Sequence, residues 1–256
     1  MKVIDMWAPI VPSHEIIDDL RAGFPAEQLQ YLEVFTKTSV TADQFSSYAE
    51  SRRLDDDQIL AALDDAGVTQ CLITGFDERS TCGVTFVHNE SVAALADRYP
   101  DRFIPFAGAD IMRVDSALGE LEHWVTERGF RGLSLRPFMI GRPATDSAYF
   151  PFYAKCVDLG IPLSIHTSAN WTRTRTSDLG HPRHIDQIAC EFPDLRILMS
   201  HAGCPPPEIF RRPWCGVGAA LAVRTDDDPR QGTRCVRCPS RQRQWKAGCG
   251  ATRPGC

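Results

Sequence analysis

The chain has 256 residues, 43% of them hydrophobic and 24% charged, and a formal net charge of -5. This is the composition of a globular protein, not of a disordered one, and the length matches the roughly 250 residues of a single eight-stranded α/β barrel. No apolar run reaches the roughly 18 to 20 residues that span a bilayer, and Met1-Lys2-Val3-Ile4-Asp5 enters a strand pattern at once, without a readable signal peptide, so a cytoplasmic protein is expected.

The net charge conceals two unlike parts. Residues 211–256 hold ten Lys/Arg against three acids, a balance of +7, which leaves -12 for residues 1–210; six of the ten cysteines also fall after residue 203. A basic tail of this kind is one signature of a nucleic-acid arm.

Six short β-branched or apolar runs recur along the first part, each bounded by turn residues. They are Val3–Trp7, Gln70–Thr74, Phe103–Ala107, Gly132–Arg136, Pro162–His166 and Arg196–His201. Runs this uniformly apolar are expected of strands buried on both faces. Between them the spacing predicts helices over 54–66, 88–98, 115–128, 148–159 and 182–192, three of which close on Gly67, Gly129 and Gly160. Connections of this length return a strand parallel to its predecessor through a right-handed crossover. The expected fold is α/β, a TIM-type barrel of about six βα units; a doubly wound open sheet has the same periodicity. The 12–53 segment, with Phe24, Tyr31, Phe35, Phe45 and Tyr48, is long for a first βα loop and would cover the C-terminal face of a barrel.

Polar residues gather at the C-terminal ends of these runs, where barrel enzymes place their chemistry. Asp110, Arg136, His166 and His201 stand there, with Asp5 nearer the middle of its strand. A buried apolar strand gains nothing by ending in histidine, so two in succession mark a candidate site. Histidines satisfied by local hydrogen bonds, and an Arg136 held in a structural ion pair, are the alternatives. His181 and His184 are expected to belong to the next helix and its cap.

Ser164-Ile165-His166-Thr167, and Phe192-Pro193-Asp194-Leu195-Arg196 running through Ile197-Leu198-Met199-Ser200-His201-Ala202-Gly203, resemble strands five and six of the amidohydrolase-related, decarboxylase-like family of metal-dependent hydrolases. Pro100-Asp101-Arg102-Phe103 and Gly129-Phe130-Arg131-Gly132 before Leu133-Ser134-Leu135-Arg136-Pro137 are similar to it too. The resemblance implies hydrolysis, or non-oxidative decarboxylation, of a small carboxylated substrate. It makes His166 the ligand of a divalent metal such as zinc, which would lower the pKa of a bound water. His201 would shuttle a proton or steady an oxyanion, and Arg136 would hold a substrate carboxylate. Trp171, with Phe138 and Arg173, would line an apolar pocket with cationic handles.

Two departures bear on that expectation. Family members with the full metal site end strand one in Asp-x-His-x-His, whereas this chain reads Asp5-Met6-Trp7-Ala8-Pro9. Beyond Gly203 nothing resembles strands seven and eight. Residues 1–210 are therefore expected to form a partial barrel and 211–256 an irregular tail rich in Arg and Cys, best explained as out-of-frame translation of a GC-rich gene. A zinc knuckle built on Cys235 and Cys238 with Cys215 and Cys249 competes with that explanation, but stacking aromatics for nucleic acid are scarce. A truncated, inactive family member, short of stability because two parallel edges stay open, is the alternative to an enzyme. Self-association is compatible with either.

Overall fold

The computed structural model describes residues 2–6, 41, 44, 47, 54–83, 85–167 and 176–201. The 12–53 insertion save those three positions, Trp171, Arg173, residues Trp7 and Pro9, and the 211–256 tail lie outside them. The elements in chain order are β1 (Ile4–Asp5), α1 (Asp56–Asp65), β2 (Gln70–Thr74), β3 (Phe76–Asp77), α2 (Arg79–Cys82), β4 (Thr85–Val87), α3 (Asn89–Arg98) and β5 (Phe103–Gly108). They continue with α4 (Val114–Thr126), β6 (Gly132–Leu135), α5 (Pro137–Ile140), α6 (Phe150–Asp158), β7 (Leu163–His166), α7 (Arg183–Glu191) and β8 (Ile197–Ser200). No helix among the described residues is long and apolar enough to cross a membrane.

Six strands form one parallel sheet in the order β1-β2-β5-β6-β7-β8. This order decides between the two architectures the periodicity allowed. A doubly wound sheet reverses its strand order at a switch point; here every crossover advances the sheet in the same direction, as in a TIM-type barrel. Each expected strand and helix lies within a few residues of its place. Gly67 and Gly160 close α1 and α6 at φ +69° and +64°, where a side chain would be strained. Asp55 starts α1 with a reciprocal cap: its carboxylate accepts from Gln58 N at 2.8 Å while its own N–H donates to the Gln58 side chain at 3.0 Å.

Alternation along the strands separates two faces. Cys71, Ile73, Phe103, Ala107, Leu133, Leu135, Leu163 and Ile165 form one buried cluster with Val92, Leu121, Trp124, Phe152, Tyr153 and Ile188 of the helices. The opposite face carries Leu72, Phe106, Ser134, Ser164 and His166. There the Phe106 ring occupies the space a side chain on Gly132 would need, 2.3 Å from where its Cβ would stand. The helix-facing side thus supplies the hydrophobic driving force, while the inner face turns polar toward the C-terminal ends of β6 and β7.

The antiparallel pair β3 and β4, which no periodicity announced, forms with α2 an excursion over residues 76–87 between β2 and α3. Two glycines fix its start. A Cβ on Gly108, which ends β5, would lie 2.5 Å from the Gly75 carbonyl carbon, so only glycine lets the chain leaving β2 pass so close to β5. Asn89 holds the crossing, accepting from Gly108 N at 2.8 Å and donating to Gly108 O at 3.0 Å.

Candidate active site

β7 ends in His166, 2% exposed, and β8 is followed by His201. The two strand ends are tied together by Thr167, whose N–H and hydroxyl both donate to Ser200 O at 3.2 and 2.9 Å, and by Ser200, whose hydroxyl donates to Ile165 O at 3.1 Å. This brings the imidazoles edge to face, their centroids 4.7 Å apart at 65°. The Phe138 ring meets His166 from α5 with centroids 4.5 Å apart. His201 adopts φ +64°, the left-handed region that costs a non-glycine residue free energy and that clusters at functional sites. Burial lowers its pKa below the ordinary 6.5, so the ring is held neutral near pH 7.

Arg136 follows β6, two residues beyond Ser134, and His166 lies two residues beyond Ser164; since Ser134 and Ser164 are partners across the strands, Arg136 and His166 occupy the same row. The Arg136 guanidinium donates from Nε and Nη2 to the two oxygens of Glu78 at 2.7 and 2.6 Å. It also lies over Phe76, 3.8 Å from the ring centroid, and 5.1 Å from that of Phe86. Burial pushes the Glu78 carboxyl above its usual range, with Arg136 opposing and the Asp77 and Asp110 charges adding to the rise. Beside it, burial also works to raise the Asp77 carboxyl, but hydrogen bonds and charge from Arg79 prevail and hold it below the usual range.

The other strand-end residues have structural partners. Asp110, at the end of β5, accepts from Ser80 N and Oγ at 3.0 and 2.5 Å and from Met112 N at 3.1 Å, so its carboxylate anchors α2. Asp5 pairs with Cys71 on β2, at the far end of the strand order from β8, and its charge joins burial in pushing the Cys71 thiol up to about 12. His181 accepts from Arg183 N at 3.1 Å at the start of α7, and His184 bridges Thr145 Oγ1 and Asp178 O at 3.3 and 3.0 Å. Sequence reasoning passed over Glu78. The one available signal was the acidic pair Asp77-Glu78 a few residues beyond the second strand, on the side where a barrel places chemistry, but the excursion that carries it left no mark in the sequence pattern.

A match to the family model described as amidohydrolase extends over residues 4–237, most of the chain. The chain belongs to this family. The matched span passes beyond residue 210, into the segment whose composition set it apart. A 2-keto-4-carboxy-3-hexenedioate hydratase of Sphingobium sp. is 30% identical over 140 residues, which cover 46% of this chain and 40% of that protein. The amidohydrolase-family chain thus spans less than half the length of this curated relative. Two solved structures share its fold. An uncharacterised TIM-barrel protein from Bordetella bronchiseptica is 24% identical with a TM-score of 0.56, over 82% of this chain and 71% of that one. The 5-carboxyvanillate decarboxylase of Novosphingobium aromaticivorans, solved with manganese and a methoxy-hydroxy-nitrobenzoic acid, is 19% identical with a TM-score of 0.59, over 79% and 66% of the two chains.

Whether this chain could hold such a metal depends on the donors it brings together. A resident zinc takes three or four protein ligands. Among the described residues no group of three His, Cys, Asp or Glu side chains converges, and the first strand run reads Asp5-Met6-Trp7-Ala8-Pro9, without histidine. His166 alone does not make a metal site.

Proposed function

We propose that this chain carries the acid–base and carboxylate-recognition parts of an amidohydrolase-family enzyme that adds water to, or hydrolyses, a small carboxylated substrate. The observation that carries this reading is the contact of His166 with His201 at the ends of β7 and β8, one strand from Arg136. His201, neutral because it is buried, takes a proton from water as the water attacks the electrophilic carbon, and returns it to the leaving or protonated atom. His166 holds the ring of His201 from the side while packed on Phe138. Arg136 receives a substrate carboxylate. No step of this reading runs through a metal, because the described residues bring no three metal-binding side chains together. The hydratase relative, whose name describes water addition to a carboxylated substrate, supports the reading.

A second reading, non-oxidative decarboxylation, is favoured by the fold shared with 5-carboxyvanillate decarboxylase. There a proton drawn from solvent through the His201 ring would replace carbon dioxide on the carbon that loses it. The two readings separate in H₂¹⁸O with a panel of aromatic and ring-derived mono- and dicarboxylates. Water addition puts ¹⁸O into the organic product, whereas decarboxylation releases carbon dioxide. Either activity should disappear in His201→Ala. Activity undiminished in that variant would remove His201 from the mechanism, and no turnover across the panel would leave the chain an inactive family member.

A further inference from the structure

We infer that Glu78 is a positioning residue for substrate binding: it fixes the guanidinium plane of Arg136 so that the opposite edge of the fork faces a substrate carboxylate. The inference rests on the role proposed above for Arg136 and adds a second residue to it.

A guanidinium has two edges that can each engage a carboxylate in a bidentate manner, one made by Nε and one Nη, the other by both Nη atoms. In this chain Glu78 takes the first edge with both oxygens. Among the described residues nothing accepts from Nη1, so the second edge keeps its donors. The plane cannot swing to present the first edge elsewhere, because Phe76 and Phe86 lie against its face. The Arg136 side chain is 13% exposed while that of Glu78 is 4% exposed, so it is Arg136 that retains access to solvent.

The fold supplies Glu78 through a dedicated route. β5 lies between β2 and β6 and ends in Gly108, so its end presents no side chain, and the chain leaving β2 crosses it at Gly75 to deliver Glu78 beside Arg136. Asp110 anchors the next turn through Ser80, and Asp77 fixes Arg79, whose charge is thereby kept on its own carboxylate. The excursion over 76–87 thus ends in one charge-assisted contact at the row that also holds His166. An arrangement serving stability alone would need no access at Arg136. Rigidity matters for recognition because an error of about 1 Å in a binding group can cost up to about a hundredfold in function.

The test measures binding by calorimetry on the full chain, with benzene-1,3-dicarboxylate as probe and its neutral diamide as control. The ratio of the two affinities is the readout, since a variant that merely loosens the fold weakens both together. Wild type should prefer the dicarboxylate, and Arg136→Ala should abolish the preference. Glu78→Ala should reduce the preference by about tenfold or more, while Glu78→Gln, which keeps the shape and one acceptor, should recover most of it. If Glu78→Ala does not fold, Glu78→Gln and Glu78→Asp decide: Gln should stay near wild type and Asp, one methylene short, should fall. A preference unchanged in Glu78→Ala, or in both Glu78→Gln and Glu78→Asp, but lost in Arg136→Ala overturns the role of Glu78 and leaves that of Arg136. A preference that survives Arg136→Ala, or is absent from wild type, overturns the carboxylate reading itself.

Discussion

His166 and His201 meet edge to face across the ends of two neighbouring strands, at a centroid distance of 4.7 Å, although only one of them sits in regular strand geometry. The chain passes from β8 into the left-handed region at His201, φ +64°, and that turn carries the second ring to the first. Local backbone free energy is spent to hold a side chain in place, a pattern found at sites selected for chemistry.

Replacing His201 tests this directly. Both His201→Ala and His201→Gly lose the ring contact, but only glycine accepts the left-handed backbone without strain. The Gly variant is expected to be the more stable by about 1 kcal/mol, part of the strain relief being offset by its freer unfolded chain. Both should be inactive. Chemical denaturation of the pair checks the ordering; an Ala variant as stable as the Gly variant would show that the turn is unstrained.

The pH dependence follows from the burial of the same ring. The folded pKa of His201 lies below its ordinary 6.5, so the unfolded chain binds the proton more tightly. Its contribution to stability is complete above pH 6.5 and is lost as pH falls through the folded value. Glu78 acts in the reverse sense, since its folded pKa is raised above 4.5 and its contribution fades as pH rises through that value. Stability is thus expected to drop on acidification below pH 6.5, and His201→Gln should flatten that drop. Activity that needs the neutral ring should have its acid limb below pH 6.5. Melting curves and rates between pH 5 and 8 measure both.

The barrel half of the fold was legible because its strands are buried on both faces and three of its helices are closed by glycine, so hydrophobic period and punctuation agree. Strand order was not legible, since periodicity is local and a doubly wound sheet shares it. The 76–87 excursion was hidden for another reason: its strands are two and three residues long, below what alternation can reveal. With it went Glu78. Arg136 was legible as a site candidate, but whether its partner would be a substrate or a protein carboxylate depends on a contact 58 residues away in sequence.

That contact should behave as a buried ion pair. Removing one partner leaves an uncompensated charge, so Glu78→Ala and Arg136→Ala are each expected to cost about 3 to 5 kcal/mol. The double replacement Glu78→Ala with Arg136→Ala should cost less than the sum of the single changes, because it buries no lone charge. Urea unfolding of the four proteins in the cycle measures the coupling; additive losses would mean the charges do not interact.

Gly108 offers a test of how the excursion is seated. A methyl there would stand 2.5 Å from the Gly75 carbonyl carbon, and backbone cannot rotate away as a side chain can. Gly108→Ala is expected to destabilise by about 1 to 3 kcal/mol. Gly119, with nothing within 4 Å of a built Cβ and located inside α4, should instead be stabilised by alanine, by about 0.5 to 1 kcal/mol. Thermal melts of the two variants should therefore shift in opposite directions.

Metal content is expected to separate this chain from the decarboxylase of the same fold that was solved with manganese. With tryptophan and proline at positions 7 and 9, where the resemblance would set histidine ligands, and no three-ligand cluster among the described residues, His166 offers one nitrogen where a tight site needs several donors. The purified chain is expected to hold well under one equivalent of divalent metal. A chelator should leave its melting temperature unchanged, since a ligand that binds the native state stabilises it by mass action and its removal would show. Restoring histidine at both positions, with Trp7→His and Pro9→His together, should raise zinc or manganese affinity and make the melting temperature depend on metal concentration. One tightly held equivalent in the unaltered chain would refute the argument, and would place the missing ligands in the 12–53 segment or beyond residue 201.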